Sequence, residues 1–144
     1  MFLGEFRHSL DDQGRIIIPS RYRDEIGESR LVVTQGLDKN LVVYTEEGVR
    51  EYAERWLELT TAKADYRKWR RYVASTAETV ELDKMGRILI GSGLRKHAGL
   101  IKDAVISGNL NNFEIWSPER WKEASDFGDE ADISSRIEEL DIRI

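Results

Sequence analysis

The sequence predicts a mixed α+β protein, mainly β, in which one small unit is used twice. Three observations predict it. The stretch LDDQGRIIIPS at residues 10–20 returns as LDKMGRILIGS at residues 82–92. Apolar, β-branched runs bounded by Gly, Asp and Asn recur in both copies. Between and after them, apolar residues fall at helical spacing.

The repeat outruns its motif. At one fixed displacement of 72 residues (83 − 11) and without a gap, Arg23 meets Arg95, Gly27 meets Gly99 and Val33 meets Val105. Gly36 meets Gly108, Asn40 meets Asn112 and Glu47 meets Glu119. Ile17 with Leu89, Val43 with Ile115 and Tyr44 with Trp116 are chemically alike. Such self-similarity marks a duplicated supersecondary unit, and a unit this small rarely buries a core alone.

Each element has a local reason. Glu5 to Leu10 and Glu78 to Leu82 read as short strands leading into Asp-x-x-Gly-Arg. There Gly14 and Gly86 supply the positive φ of a tight hairpin, and Asp11 and Asp83 accept bonds from turn amides. Arg15 to Ile18 and Arg87 to Ile90 follow as strands, the first closed by Pro19. Ser20 and Ser92 are placed to cap a short helix. Tyr22 and Ile26, or Leu94 and Ala98, form its inner face, and Gly27 and Gly99 its left-handed end. A hairpin comes next, Leu31–Thr34 with Leu41–Tyr44, repeated as Ala104–Ser107 with Phe113–Trp116.

Thr45 and Ser117 are N-cap types before a closing helix, and Pro118 suits its first position. Val49, Tyr52, Ala53, Trp56 and Leu57 make one helical stripe; Ala62, Tyr66, Trp69 and Val73 make another. The tail repeats the spacing with Ile133, Ile137, Leu140 and Ile144. The chain thus divides into a first unit (5–47), a helical connector (48–75), a second unit (76–119) and an acidic tail, helical or flexible (120–144). Trp56, Trp69, Trp116 and Trp121 are read as packing residues, since no aromatic interleaving of the single-strand-binding kind occurs.

Composition bounds function. With 40% hydrophobic and 34% charged residues, the chain reads as soluble and globular. No apolar run approaches the roughly 20 residues of a membrane span, and the N-terminus has no signal-peptide pattern, so a cytoplasmic location is expected. With no cysteine, thiolate metal sites and disulfides are excluded. Residues 123–144 hold eight acids and two arginines, a balance of −6 against −5 for the whole, so the remaining body is near +1. The acidity belongs to the tail, and a local basic site elsewhere is compatible with it.

The duplicated turns are the candidate site. Turn geometry needs Asp and Gly, but nothing in it needs an arginine at the next position twice. A guanidinium forks onto guanine O6 and N7 or onto phosphate, and a nearby carboxylate holds it extended. Arg15 and Arg87 are the candidate DNA contacts, with Asp11, Asp83, Gly14 and Gly86 shaping the turns and Lys84 beside the second. Arg21 and Arg23, with Arg95 and Lys96, are candidates for phosphate contacts. Lys63, Arg67, Lys68, Arg70 and Arg71 read as connector surface charge, with Asp65, Glu54 and Glu58 nearby.

Catalysis finds little footing. Asp11 and Asp83 as an acid–base pair have no supporting residues. His8 and His97 occupy unmatched repeat positions without metal-ligand spacing, and no phosphate-cradling loop or nucleophile elbow occurs. No cofactor or metal is expected. The alternative to DNA binding is a ring-forming protein-interaction scaffold.

At the doubled Asp-x-x-Gly-Arg the chain resembles the MraZ family, of the SpoVT/AbrB superfamily. The likeness runs from Met1 to about residue 122. It is carried by the MF-x-G start, GRIIIPSRYR in the first unit, and GRILIGSGLRKHAGL with NNFEIW in the second. The resemblance implies two swapped-hairpin β units forming an internal pseudo-dimer, with helices packed alongside. It also implies rings of several chains, located in the cytoplasm at the nucleoid. These regulate transcription, typically as repressors, of the division and cell-wall gene cluster including their own promoter, through short direct repeats in double-stranded DNA. The family's Asp-x-x-x-Arg motif falls on Asp11 to Arg15 and Asp83 to Arg87, with the arginine implicated in DNA contact. Gln13 departs from a frequent lysine, Val49 from a frequent tryptophan and Thr45 from a frequent proline.

Overall fold

The structure, a computed structural model, describes residues 1–60 and 63–143, leaving aside the side chains of Trp56, Leu59 and Thr60. The Trp56 side chain, Ala62 and Ile144, all on the expected stripes, lie outside the described residues.

The first unit runs β1 (Glu5–Ser9), β2 (Arg15–Ile17), α1 (Ser20–Ile26), β3 (Leu31–Gln35) and β4 (Leu41–Thr45). The helices α2 (Glu46–Thr60) and α3 (Ala64–Thr76) follow. The second unit repeats the order as β5 (Glu78–Val80), β6 (Arg87–Leu89), α4 (Ser92–Ala98), β7 (Asp103–Gly108) and β8 (Phe113–Trp116). Two helices, α5 (Pro118–Ala124) and α6 (Glu130–Glu139), complete the chain.

The two units interlock. Six strands form an antiparallel sheet in the order β1-β7-β8-β4-β3-β5, and β2 pairs with β6 in a separate ribbon. Each unit therefore lends its first strand to the other unit's hairpin: β1 lies on β7, and β5 on β3. Where the units meet, repeat-equivalent residues face each other. Ile16 pairs with Ile88 in the ribbon, and Val42 with Glu114 in the large sheet. Both pairs are separated by the repeat displacement, so a pseudo-twofold axis passes through them, and contacts across it are reciprocal.

One core results, filled from both copies. Ile16, Ile18, Ile88 and Ile90 are fully buried beneath the sheet residues Val33, Val43, Ile106 and Ile115. Each contributes about 1.5–3 kcal/mol by leaving water, and neither unit alone supplies the opposing surface. Phe2 ties the N-terminus to this core, its ring edge-on to Tyr22 at 5.1 Å and to Phe113 at 5.2 Å.

Several local expectations are corrected. The strands flanking each Asp-x-x-Gly-Arg turn do not pair as a hairpin; all four find partners in the other unit. Ser20 and Ser92 do not cap their helices: each is the first helical residue, behind Pro19 and Gly91, and no side-chain cap bond forms. Gly99 is left-handed as expected, whereas Gly27 has φ 59 with ψ −129, a conformation outside that well. The later caps hold: Thr45 Oγ1 accepts from Gly48 N at 3.0 Å, and Ser117 Oγ from Arg120 N at 3.3 Å. Tyr44 stacks on Tyr52, but Tyr52 and Leu57 stay substantially exposed, so the α2 stripe is only part-covered in one chain. Trp116 is buried; Trp69 and Trp121 are half-buried.

Candidate nucleic-acid interface

The two turns are built identically. Asp11 N–H donates to Arg15 O at 2.9 Å and Gly14 N–H to Asp11 O at 3.0 Å. The carboxylate then works inward: Oδ1 accepts from the backbone N–H of Gln13 and of Arg15, both at 2.9 Å. Its other oxygen takes the Arg15 side chain, Nε to Oδ2 at 3.0 Å. In the second turn Asp83 Oδ1 accepts from Met85 N and Arg87 N at 2.9 Å, and Oδ2 from Arg87 Nε at 2.8 Å. The repeated Asp thus both shapes the loop and orients the guanidinium. Gripping Nε leaves the terminal amino groups of Arg15 and Arg87 without a hydrogen bond among the described residues.

Backbone bonds hold both carboxyls below the usual carboxylate range. For Asp11 the Arg15 amide is the largest cause, and for Asp83 the Arg87 amide; partial desolvation opposes each. At neutral pH both are ionised and the arginines stay oriented.

The axis brings the turns together. Arg87 Nη1 lies 3.7 Å from Asp11 Oδ2, so Asp11 faces both arginines. Ile18 N–H donates to Gly86 O, and Ile90 N–H to Gly14 O, each at 2.9 Å. Gly14 (φ 86) and Gly86 (φ 78) are required twice over: by the left-handed backbone and by the guanidinium packed on each from the opposite unit. Arg95 lies against Gly14 and Arg23 against Gly86.

The sequence-predicted residues thus separate. Asp11, Gly14, Arg15, Asp83, Gly86 and Arg87 converge on the axis, and Lys84 is exposed on the second turn. Arg21 is exposed on α1 without an ion pair among the described residues. Arg23 is half-buried against the opposite turn, its Nε enclosed and unpartnered, so its placement is that of a prop more than a solvated helix residue. Sequence reasoning missed that packing, although the matched Arg23 and Arg95 were its signal.

It also missed Ile17 and Leu89. In the β2–β6 ribbon Ile16 and Ile88 point inward, so Arg15, Ile17, Arg87 and Leu89 share the outer face. Arg15 stands opposite Leu89, and Ile17 opposite Arg87. Ile17 and Leu89 are 42% and 53% exposed. Two guanidiniums and two apolar side chains therefore form one outward surface. Among the described residues no group of His, Asp and Glu is arranged to hold a metal.

Comparison with known proteins agrees with the duplication. A family model described as "MraZ protein, putative antitoxin-like" matches twice, over residues 1–72 and 73–142. The chain belongs to the MraZ family. It is 44% identical over 140 residues to the transcriptional regulator MraZ of Lachnoclostridium phytofermentans, covering 97% of each chain. It is 40% identical over 144 residues to that of Ligilactobacillus salivarius, covering 99% of this chain and all of the relative. With that of Natranaerobius thermophilus it shares 46% over 121 residues, 84% of each. The family is one of transcriptional regulators, not of enzymes.

Proposed function

We propose that this chain is a sequence-specific, DNA-binding transcriptional regulator, and that the outer face of the β2–β6 ribbon is its reading surface. The observation that carries the reading is the pair of Asp-anchored arginines related by a pseudo-twofold axis, the terminal nitrogens of both free of hydrogen bonds among the described residues and Arg87 Nη1 in a 3.7 Å ion pair with Asp11. A two-stranded ribbon fits the major groove, where guanidinium meets guanine and apolar side chains meet thymine methyls. Arg15 and Arg87 read bases; Asp11, Asp83, Gly14 and Gly86 fix the turns; Lys84 and Arg21 contact phosphate. Arg23 supports the second turn.

One guanine-reading arginine supplies only about 1–3 kcal/mol of discrimination. One chain therefore binds weakly, and an oligomeric ring engages several direct repeats at once, because each later engagement is intramolecular. The exposed Leu57 on α2 and Tyr66 on α3 support assembly. In this reading, which the resemblance supports, the chain acts at the nucleoid as a repressor of the division and cell-wall cluster and of its own promoter. No helix among the described residues is long and apolar enough to cross a membrane.

The test is a footprint on the chain's own upstream region, followed by binding to that duplex over a salt series. A footprint on spaced direct repeats, with log affinity falling linearly in log salt, is expected. Equal affinity for a scrambled duplex, or a flat salt series, contradicts the reading.

A further inference from the structure

Two helical faces of this chain carry opposite charge that no ion pair among the described residues neutralises. On α3, Arg67, Lys68, Arg70 and Arg71 stand against a single acid, Asp65. None of the four is in an ion pair among the described residues. Exposed aromatics stand at the two margins of this face: Tyr66 is 43% and Tyr72 39% accessible.

α6 is the converse. Ile133, Ile137 and Leu140 fall at i, i+4 and i+7, the stripe of a helix that packs on something. Yet α6 buries no residue, and Leu140 is 69% exposed. Glu130, Glu138 and Glu139 surround the stripe and likewise lack ion pairs among the described residues. The helix is nonetheless closed at its start. Asp132 N–H donates to Asp129 Oδ1 at 2.9 Å, and Asp129 N–H to Asp132 Oδ2 at 3.2 Å. It is a preformed amphipathic helix.

Its own chain offers a poor seat. α5, which leads into α6, lies on β7, and Trp121 Nε1 bonds Glu5 at the β1 edge. α3 lies on β3, toward the other edge. Beside α5 is an open trough of about 860 Å³ whose charged lining is Asp38, Glu114 and Glu123 against Lys39 and Arg120. Its balance is acidic by one charge, and Arg120 is already taken up by the carbonyls of Lys39 and His97, so it offers an acidic helix no net attraction.

We infer that α6 of one copy docks on the basic face of α3 in a second copy, its isoleucine–leucine stripe against Tyr66 at the margin of that face. The contact is head-to-tail, so it propagates around a ring. It rests on the oligomer reading above. Each charge pair is individually weak and salt-screened, so the apolar stripe is needed as well.

The absence of cysteine makes the test clean. Two differently tagged full chains, one S75C on α3 and one S134C on α6, are co-expressed and treated with a short bis-maleimide. A mixed cross-linked species is expected, lost when I133D/L140D is added to the S134C chain and reduced in 1 M salt. Three results overturn the contact: no mixed species although sedimentation shows oligomers, cross-linking confined within a doubly substituted S75C/S134C chain, or loss of the mixed species on adding duplex DNA, which assigns the α3 face to phosphate. Monomers in sedimentation contradict the assembly reading itself, a distinguishable failure.

Discussion

The two Asp-x-x-Gly-Arg turns share one scaffold but not one chemistry. Their hydrogen bonds match atom for atom, to within 0.2 Å at the Nε contact (3.0 against 2.8 Å). Their flanking residues do not match. The first turn reads Asp11-Asp12-Gln13-Gly14-Arg15, a local charge of −1; the second reads Asp83-Lys84-Met85-Gly86-Arg87, a local charge of +1. The Arg15 side chain is 33% exposed and Arg87 only 24%, since Arg87 also faces Asp11. What the duplication preserves is the device that orients a guanidinium; what it lets drift is the field around it.

The comparison breaks most visibly at the glycines. Both positions have positive φ, which costs a residue with a Cβ about 1–3 kcal/mol. At Gly86 the three atoms nearest to an added Cβ all belong to the flexible Arg23 side chain, whereas at Gly14 they include the Ile90 carbonyl oxygen at 2.9 Å, which is backbone and cannot swing away. G14A is therefore expected to lower the unfolding free energy more than G86A. Denaturant melts of the two check the order, and equal losses contradict it.

Charge asymmetry gives a smaller effect. K84D is expected to flatten the salt dependence of DNA binding, and D12K to steepen it, each by about one unit of log–log slope. Slopes that do not move place both residues away from phosphate.

The smallest effect is in pH. The folded-state pKa values of Asp11 and Asp83 lie below the ordinary 3.8. Groups depressed on folding add stability that is fully present above the unfolded value and is lost as pH falls through the folded one. The Gln13, Arg15, Met85 and Arg87 amide resonances are therefore expected to hold from neutral pH down to about pH 4, and to shift together only below it. Shifts beginning near pH 6 contradict carboxylate anchoring.

Much of this was legible in the residues, for physical reasons. The repeat displacement exposed the doubled unit, and β-branched runs and turn residues located its strands. What the sequence hid was partnership. A strand's period shows which face is apolar, not which strand it lies beside, so the crossing of β1 to β7 and of β5 to β3 had to come from the resemblance. Ser20 and Ser92 look like caps, but Pro19 and Gly91 take the preceding position and the helix starts on the serine. Arg23 and Arg95 sit on a short amphipathic helix, where basic residues usually face water; only the swap puts each against the other unit's glycine. Ile17 and Leu89 fit an unbroken apolar run, which conceals that alternate residues of a two-stranded ribbon face out.

The central claim is that the oriented guanidiniums at the axis read DNA. Its most direct measurement is the affinity of R15A/R87A for a direct-repeat duplex and for a scrambled one, with a thermal melt alongside. The expected result is an unchanged melt and loss of preference for the repeats, by about 1–3 kcal/mol per arginine removed. A variant that melts like the parent and still prefers the repeats to the same degree contradicts the account.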